Sequence, residues 1–287
     1  MKHNTKTLLC TTAILVGLSS LACNMFVDKV VDRTIDTAAN KVGNRVGEAV
    51  GNKIIADLTP MMQQLMVSSF NLMFYHGGYY VADQAPYAPG QYTRWRSEGE
   101  TQSDFMERAL LRRNSDGTEW WRVEYRPKGD KENTIMEALL SAPDPAGNRQ
   151  IRRMRMKSPG QEPSEVPITE SNSSTWYLSS QTQLTPESLE GMTVGDASVT
   201  VPAGTFQTRH VRFTSYQGAG ELDWFMTQKV PGGVVKYRNV VRDEDEESLL
   251  YEVVLESFGE GATESKLGID FDKQPTPAPA SDESASL

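Results

Sequence analysis

The chain has 287 residues, with 29 Lys or Arg against 38 Asp or Glu, for a formal net charge of -9. That balance excludes nucleic acid as a general partner, because a surface that tracks phosphates needs a cationic excess. A hydrophobic share of 38% supports one sizeable domain flanked by polar segments, and two cysteines exclude a disulfide framework.

Taken in chain order, the first feature is a signal. Lys2 and Lys6 form a short basic head, Leu8 to Leu18 an apolar run, and Ser19, Ser20 and Ala22 a small-residue approach to Cys23. The run is too short to span a hydrocarbon core of roughly 30 Å and reads as an export signal over residues 1–22. Leu18-Ser19-Ser20-Leu21-Ala22-Cys23 resembles the lipobox of bacterial lipoproteins, with Ser20 where that motif usually carries leucine. The resemblance implies an acylated Cys23 at the new amino terminus. Because Asn24 follows instead of aspartate, it also implies an address at the outer membrane, on its periplasmic side. Ser20-Leu21-Ala22 equally fits ordinary signal cleavage, which would release a soluble protein with an unmodified Cys23. Cys10 leaves with the signal, so no disulfide forms within the mature chain. Each buried CH₂ of an acyl chain contributes about 0.8 kcal/mol, so several chains together hold a protein at a membrane.

Residues 23–78 read as a lipid-anchored helical region. Val27, Val31, Ile35, Ala38, Val42, Val46, Val50, Ile54 and Leu58 recur at steps of three and four, the stripe of a long amphipathic helix. Ala39, Gly43, Gly47 and Gly51 lie four apart beside it. Glycine costs roughly 0.8 to 1 kcal/mol within a helix, so this small face calls for a close contact. It receives the next helix of the chain, another envelope protein or a second copy. Asp28, Lys29, Asp32 and Arg33 among others make a lipid-embedded span a poor reading.

Thr59 and Pro60 open a second, apolar helix that carries Met61, Met62, Leu65, Met66, Phe70, Leu72, Met73 and Phe74. Its methionines and aromatics make an adaptable apolar surface. That surface either packs on a sheet or faces an apolar ligand. Met62, Met66, Phe70 and Met73, with Trp121 and Trp224 from the sheet, are the expected ligand face.

Residues 79–260 change period from near four to two and read as an antiparallel β domain. Strands are expected over Tyr92 to Ser97, Phe105 to Arg113, Glu119 to Arg126, Thr134 to Ser141 and Gln150 to Lys157. Ser158 to Ser174 reads as a polar connection. A meander follows over Thr205 to Thr214, Glu221 to Lys229, Gly233 to Arg242 and Ser248 to Phe258. Val201-Pro202-Ala203-Gly204 suits a type I turn, and Val230-Pro231-Gly232-Gly233 a type II turn with positive φ at its third residue. These two segments with Trp224 and Val234-Val235-Lys236-Tyr237 resemble periplasmic domains of the LolA/LolB-like class and related uncharacterised families. The resemblance implies a curved antiparallel sheet, an open half barrel with helices on its concave face. No carrier signature matches, so no binding residue is carried over. The expected fold is therefore α+β: a long amphipathic helix, a second apolar helix, then the half barrel.

No G-x-S-x-G, P-loop or H-E-x-x-H motif occurs, which points to a non-enzymatic protein without cofactor or metal. His3 leaves with the signal, His76 sits beside Gly77-Gly78, and His210 shares an outward strand face with Thr208 and Arg212. Asp243, Asp245 and Glu247 read as a solvated run in a hairpin, and Arg152, Arg153, Arg155 and Lys157 as an outward strand face answered by acids. Residues 261–287 read as a disordered acidic tail rich in Pro, Ala and Ser. Two roles follow from this. The protein holds an acyl chain or lipid in its curved sheet, or it is an assembly scaffold acting through the glycine-faced helix.

Overall fold

The computed structural model describes residues 63–70, 74, 85–99, 103–145, 149–169, 190–214, 221–243 and 246–272. They form an antiparallel sheet of eleven strands with one short helix, α1, over 63–70. The α+β expectation is corrected accordingly. The chain over these residues is governed by period-two alternation, and two segments left without structure in the sequence reading are strands. The long helix expected over Phe26 to Leu58 lies outside the described residues.

The strands are β1 (Tyr92–Gly99), β2 (Ser103–Arg113), β3 (Glu119–Pro127), β4 (Thr134–Leu140), β5 (Ile151–Lys157) and β6 (Ser164–Val166). After the long connection come β7 (Thr193–Val201), β8 (Gly204–Thr214), β9 (Glu221–Met226), β10 (Val234–Asp243) and β11 (Glu246–Gly259). The spatial order is β6-β5-β4-β3-β2-β1-β11-β10-β9-β8-β7. Two meanders thus run outward from one central seam. That seam pairs Tyr92 with Gly259 and Gly99 with Tyr251, with a bulge at Arg94/Trp95. The sheet also curls at one end, where the amide of Ala203 in the β7–β8 turn donates to the Leu255 carbonyl of β11 at 3.3 Å.

The turns carry the chemistry their residues require. Gly232 has φ +80°, and the Gly233 amide donates to the Val230 carbonyl at 2.8 Å, as a type II turn demands. Gly232 is also confined. A Cβ there would lie 2.6 Å from Arg108 Nη2 and 2.9 Å from Tyr87 Cε2.

One sheet face is apolar and joins the main core: Trp95 of β1, Met106 and Leu110 of β2, Trp121, Val123 and Tyr125 of β3, and Met136, Ala138 and Leu140 of β4. Val253 and Leu255 of β11, Tyr237 of β10 and Trp224 of β9 continue it across the seam. Val67 and Phe70 of helix α1, with Phe74 four residues further on, cover this face and are all at most 2% exposed. Each such side chain contributes about 1.5–3 kcal/mol on leaving water.

The opposite face of β2–β4 is covered as well. Residues 261–272, placed in the tail by the sequence analysis, run as a strap across it. Ala262 and Ile269 join Ala109, Leu111, Trp120 and Leu139 in a second apolar cluster, with Tyr92 and Phe271 at its margin. The Ala262 amide donates to the Gly90 carbonyl at 2.9 Å. Strands β2–β4 are therefore buried on both sides.

Candidate functional site

The side chains nominated from sequence divide into three groups. Cys23, Ala39, Gly43, Gly47, Gly51, Met62 and Met73 lie outside the described residues. Phe70, Trp121 and Trp224 come together in the main core, exposed by 0%, 1% and 3%. Met66 packs at the edge of that cluster. Phe74 meets Trp121 edge-on, with ring centroids 5.0 Å apart, and Tyr87 does the same at 5.1 Å. These rings pack on one another.

Within that apolar face stands Arg108, fully buried. Its guanidinium lies 5.2–5.4 Å from the ring centroids of Phe74, Tyr87 and Trp95. Nε donates to Tyr87 Oη at 3.1 Å and Nη1 to the Phe74 carbonyl at 2.6 Å. A cation beside a carbonyl at the end of a helical segment is placed favourably, and aromatic faces add to this. Nη2 has no hydrogen-bond partner, but it abuts Gly232 too closely to admit a ligand. Arg108 thus ties helix to sheet.

The polar face is organised by buried charges. Arg94 Nη2 donates to Glu107 Oε2 at 2.7 Å and Arg122 Nη2 to Glu107 Oε1 at 3.0 Å. Glu137, fully buried, sits 4.0 Å from Arg122 and accepts from Ser265 Oγ and, at 2.8 Å, from the Lys266 amide. Lys266 also pairs with Glu124. The two acids diverge in consequence. Burial pushes both carboxyls up, but the bond from Arg94 and the charges of Arg122 and Lys266 bring Glu107 below its ordinary value. For Glu137 burial wins, since Ser265 and backbone amides replace a close cation, and its carboxyl stays raised.

A second network lies across the seam. Asp223 is fully buried and accepts from Arg212 Nε at 2.8 Å and Arg238 Nε at 2.9 Å, while His210 Nε2 lies 2.8 Å from its Oδ1. His210 stacks on Phe225 with centroids 4.6 Å apart. The sequence reading made His210 a plain outward residue; the cross-strand partners that hold it come only from register. Burial raises the Asp223 carboxyl, yet Arg212, His210 and Arg238 outweigh it and hold it below its ordinary value. Arg153 and Arg155 of β5 are answered by Glu165 of β6. Among the described residues, no group of three or more His, Cys, Asp and Glu side chains is placed to hold a metal.

Where this polar face is open, beyond the strap, it forms a cleft of about 510 Å³ lined by Arg94, Arg96, Ser97, Phe105, Arg126 and Glu256. The Arg94 guanidinium carbon lies 5.0 Å from the Phe105 ring centroid and that of Arg126 lies 5.6 Å from it. Arg126 Nε donates to Asn133 at 3.0 Å, and Asn133 in turn donates to Glu124 at 2.6 Å. Among the described residues, Arg94, Arg96 and Arg126 and the carboxylate of Glu256 line this depression, and Arg94 and Arg126 are held from behind by Glu107 and Asn133. Sequence reading misses this site, since its arginines come from two strands 30 residues apart and only the β1–β2–β3 register unites them. The alternating Arg94 and Arg96 were the one available signal.

No protein-family model matches the chain, and no curated protein does. A solved structure similar to it is that of a candidate lipoprotein from Parabacteroides distasonis, 13% identical, covering 61% of this chain and 98% of the other with a TM-score of 0.30. A likeness that distant carries no argument about fold or function.

Proposed function

We propose that this chain is a non-enzymatic envelope protein, held by acyl chains on Cys23 at the periplasmic side of the outer membrane, whose sheet serves as a recognition scaffold. The observation that carries the proposal is the run from Leu8 to Ala22 ending at Cys23, with lipobox character and no second cysteine in the mature chain. Mass spectrometry of the amino-terminal peptide from natively extracted protein tests it. A triacylated Cys23 is expected; a free thiol there, or an intact Met1, overturns the anchor.

Between the two roles, packing favours partner recognition over holding an acyl chain. Phe70, Trp121 and Trp224, the rings an acyl chain would have to touch, are already buried against the protein's own side chains. In this reading Ala39, Gly43, Gly47 and Gly51 supply a close helix contact to another envelope protein or a second copy. Solution mass of the detergent-extracted chain, with and without residues 24–58, checks that contact.

A further inference from the structure

We infer that Lys266 of the strap and Asn133, just before β4, become joined by an amide bond that the protein forms by itself, with Glu124 of β3 as the proton carrier. One buried carboxylate holds both reacting nitrogens. Glu124 accepts from Asn133 Nδ2 through Oε1 at 2.6 Å and from Lys266 Nζ through Oε2. The asparagine carbonyl is engaged too, since Arg126 Nε donates to Asn133 Oδ1 at 3.0 Å. These neighbours fix which way the amide points, because a guanidinium only donates and a carboxylate only accepts. Nucleophile, base, leaving nitrogen and a cation at the carbonyl oxygen are thus assembled in one place.

The step balances without an oxidant or a further reactant. Glu124 takes a proton from the Lys266 ammonium, and the freed lone pair attacks Cγ of Asn133, forming the Nζ–Cγ bond. Negative charge develops on Oδ1, where the Arg126 guanidinium already stands. A second Nζ proton follows the first. Glu124 relays both to Nδ2, the Cγ–Nδ2 bond breaks, ammonium leaves and the carboxylate is regenerated. The strap supplies the positioning. The Lys266 amide is pinned to Glu137 at 2.8 Å, while its side chain, 42% exposed, has room to swing from the far oxygen of Glu124 onto Cγ. The product fastens the strap to the β3–β4 connection and closes a loop between positions 133 and 266, a constraint on the unfolded chain of the kind a disulfide supplies.

This inference depends on neither the anchor nor the recognition role. Mass spectrometry of the full chain, as isolated and after prolonged incubation at neutral pH, tests it. The expected mass is lower by one molecule of ammonia, with tryptic peptides 132–149 and 243–273 recovered as one species that is uncleaved at Lys266. Glu124→Gln, which keeps an acceptor for Asn133 but cannot carry the proton, slows formation by about a hundredfold or more. Lys266→Arg keeps the cation and abolishes the linkage. Circular dichroism matching the parent shows that both variants fold. Separate peptides in the parent at both times overturn the inference, as does conversion of Asn133 to Asp by water in place of the linkage. A linkage that forms at the parent rate in folded Glu124→Gln overturns the role of Glu124.

Discussion

Strands β2, β3 and β4 bury both their faces, and they do so by different physics. On one face Met106, Leu110, Trp121, Val123 and Met136 pack beneath helix α1, with Arg108 the single cation among them. On the other, Glu107, Arg122 and Glu137 are equally removed from water but satisfied by one another and by the strap's Ser265 and Lys266. Apolar packing tolerates local change by relaxation. A buried charge network does not, because removal of one member leaves another charged and dry.

The comparison is broken most directly on the polar face. Glu107→Ala leaves Arg122 without its close carboxylate and is expected to cost about 3–5 kcal/mol in chemical denaturation. Replacing both residues, Glu107→Leu with Arg122→Met, costs much less than the sum of the single changes; additive losses would deny the coupling. On the apolar face Gly232→Ala is the sharpest probe. Its Cβ meets Arg108 and Tyr87 at under 3 Å on a backbone with φ +80°, so a loss of about 2–4 kcal/mol is expected. Unchanged stability would mean that Arg108 has room to move.

Ser265→Ala removes the hydroxyl that donates to Glu137 and accepts from the Leu267 and Ile269 amides at 3.0 and 2.8 Å. A loss of about 1–3 kcal/mol follows, with faster amide exchange along 265–269 as the local signature. Acidification then separates Asp223 from Glu137. Asp223 is depressed in the folded protein, so its stabilisation is present above the unfolded value near pH ~4 and lost as pH falls through the folded value. Asp223→Asn therefore flattens the acid limb of a Tm profile. Glu137 is raised, so its favourable share is present below pH ~4 and lost as pH rises through the folded value. Glu137→Gln flattens that opposite slope. The smallest effect belongs to Asp272→Asn, which breaks an exposed pair with Arg112 and shifts stability by at most about 0.5 kcal/mol.

Much of the sheet was legible because alternation and turn chemistry are local. Nine of its strands follow from runs such as Trp121, Val123 and Tyr125, and the turn at Gly232 from the Val-Pro-Gly-Gly order. Two strands were hidden. β6 is three residues within a polar, proline-containing stretch, and β7 reads Thr-Val-Gly-Asp-Ala-Ser-Val-Thr-Val, too small and polar for an apolar face to stand out. The strap was half visible: Leu267, Ile269 and Phe271 alternate before the Pro/Ala/Ser composition begins, but the tail's overall polarity masks them. Of the cleft, the alternation of Arg94 and Arg96 is local, but only register brings Arg126 beside them.

The sequence by itself determined the strand-forming periods and the turns, since each depends on neighbours a few residues apart. Tertiary structure alone decided that β1 pairs with β11 at the seam of two meanders, that a carboxyl-terminal strap buries the charged face, and which arginines share one cleft. Those outcomes rest on register and on contacts between residues more than a hundred positions apart, such as Glu137 with Ser265 and Arg94 with Ser257. Local patterning sets which face a side chain takes; long-range pairing sets what it meets there.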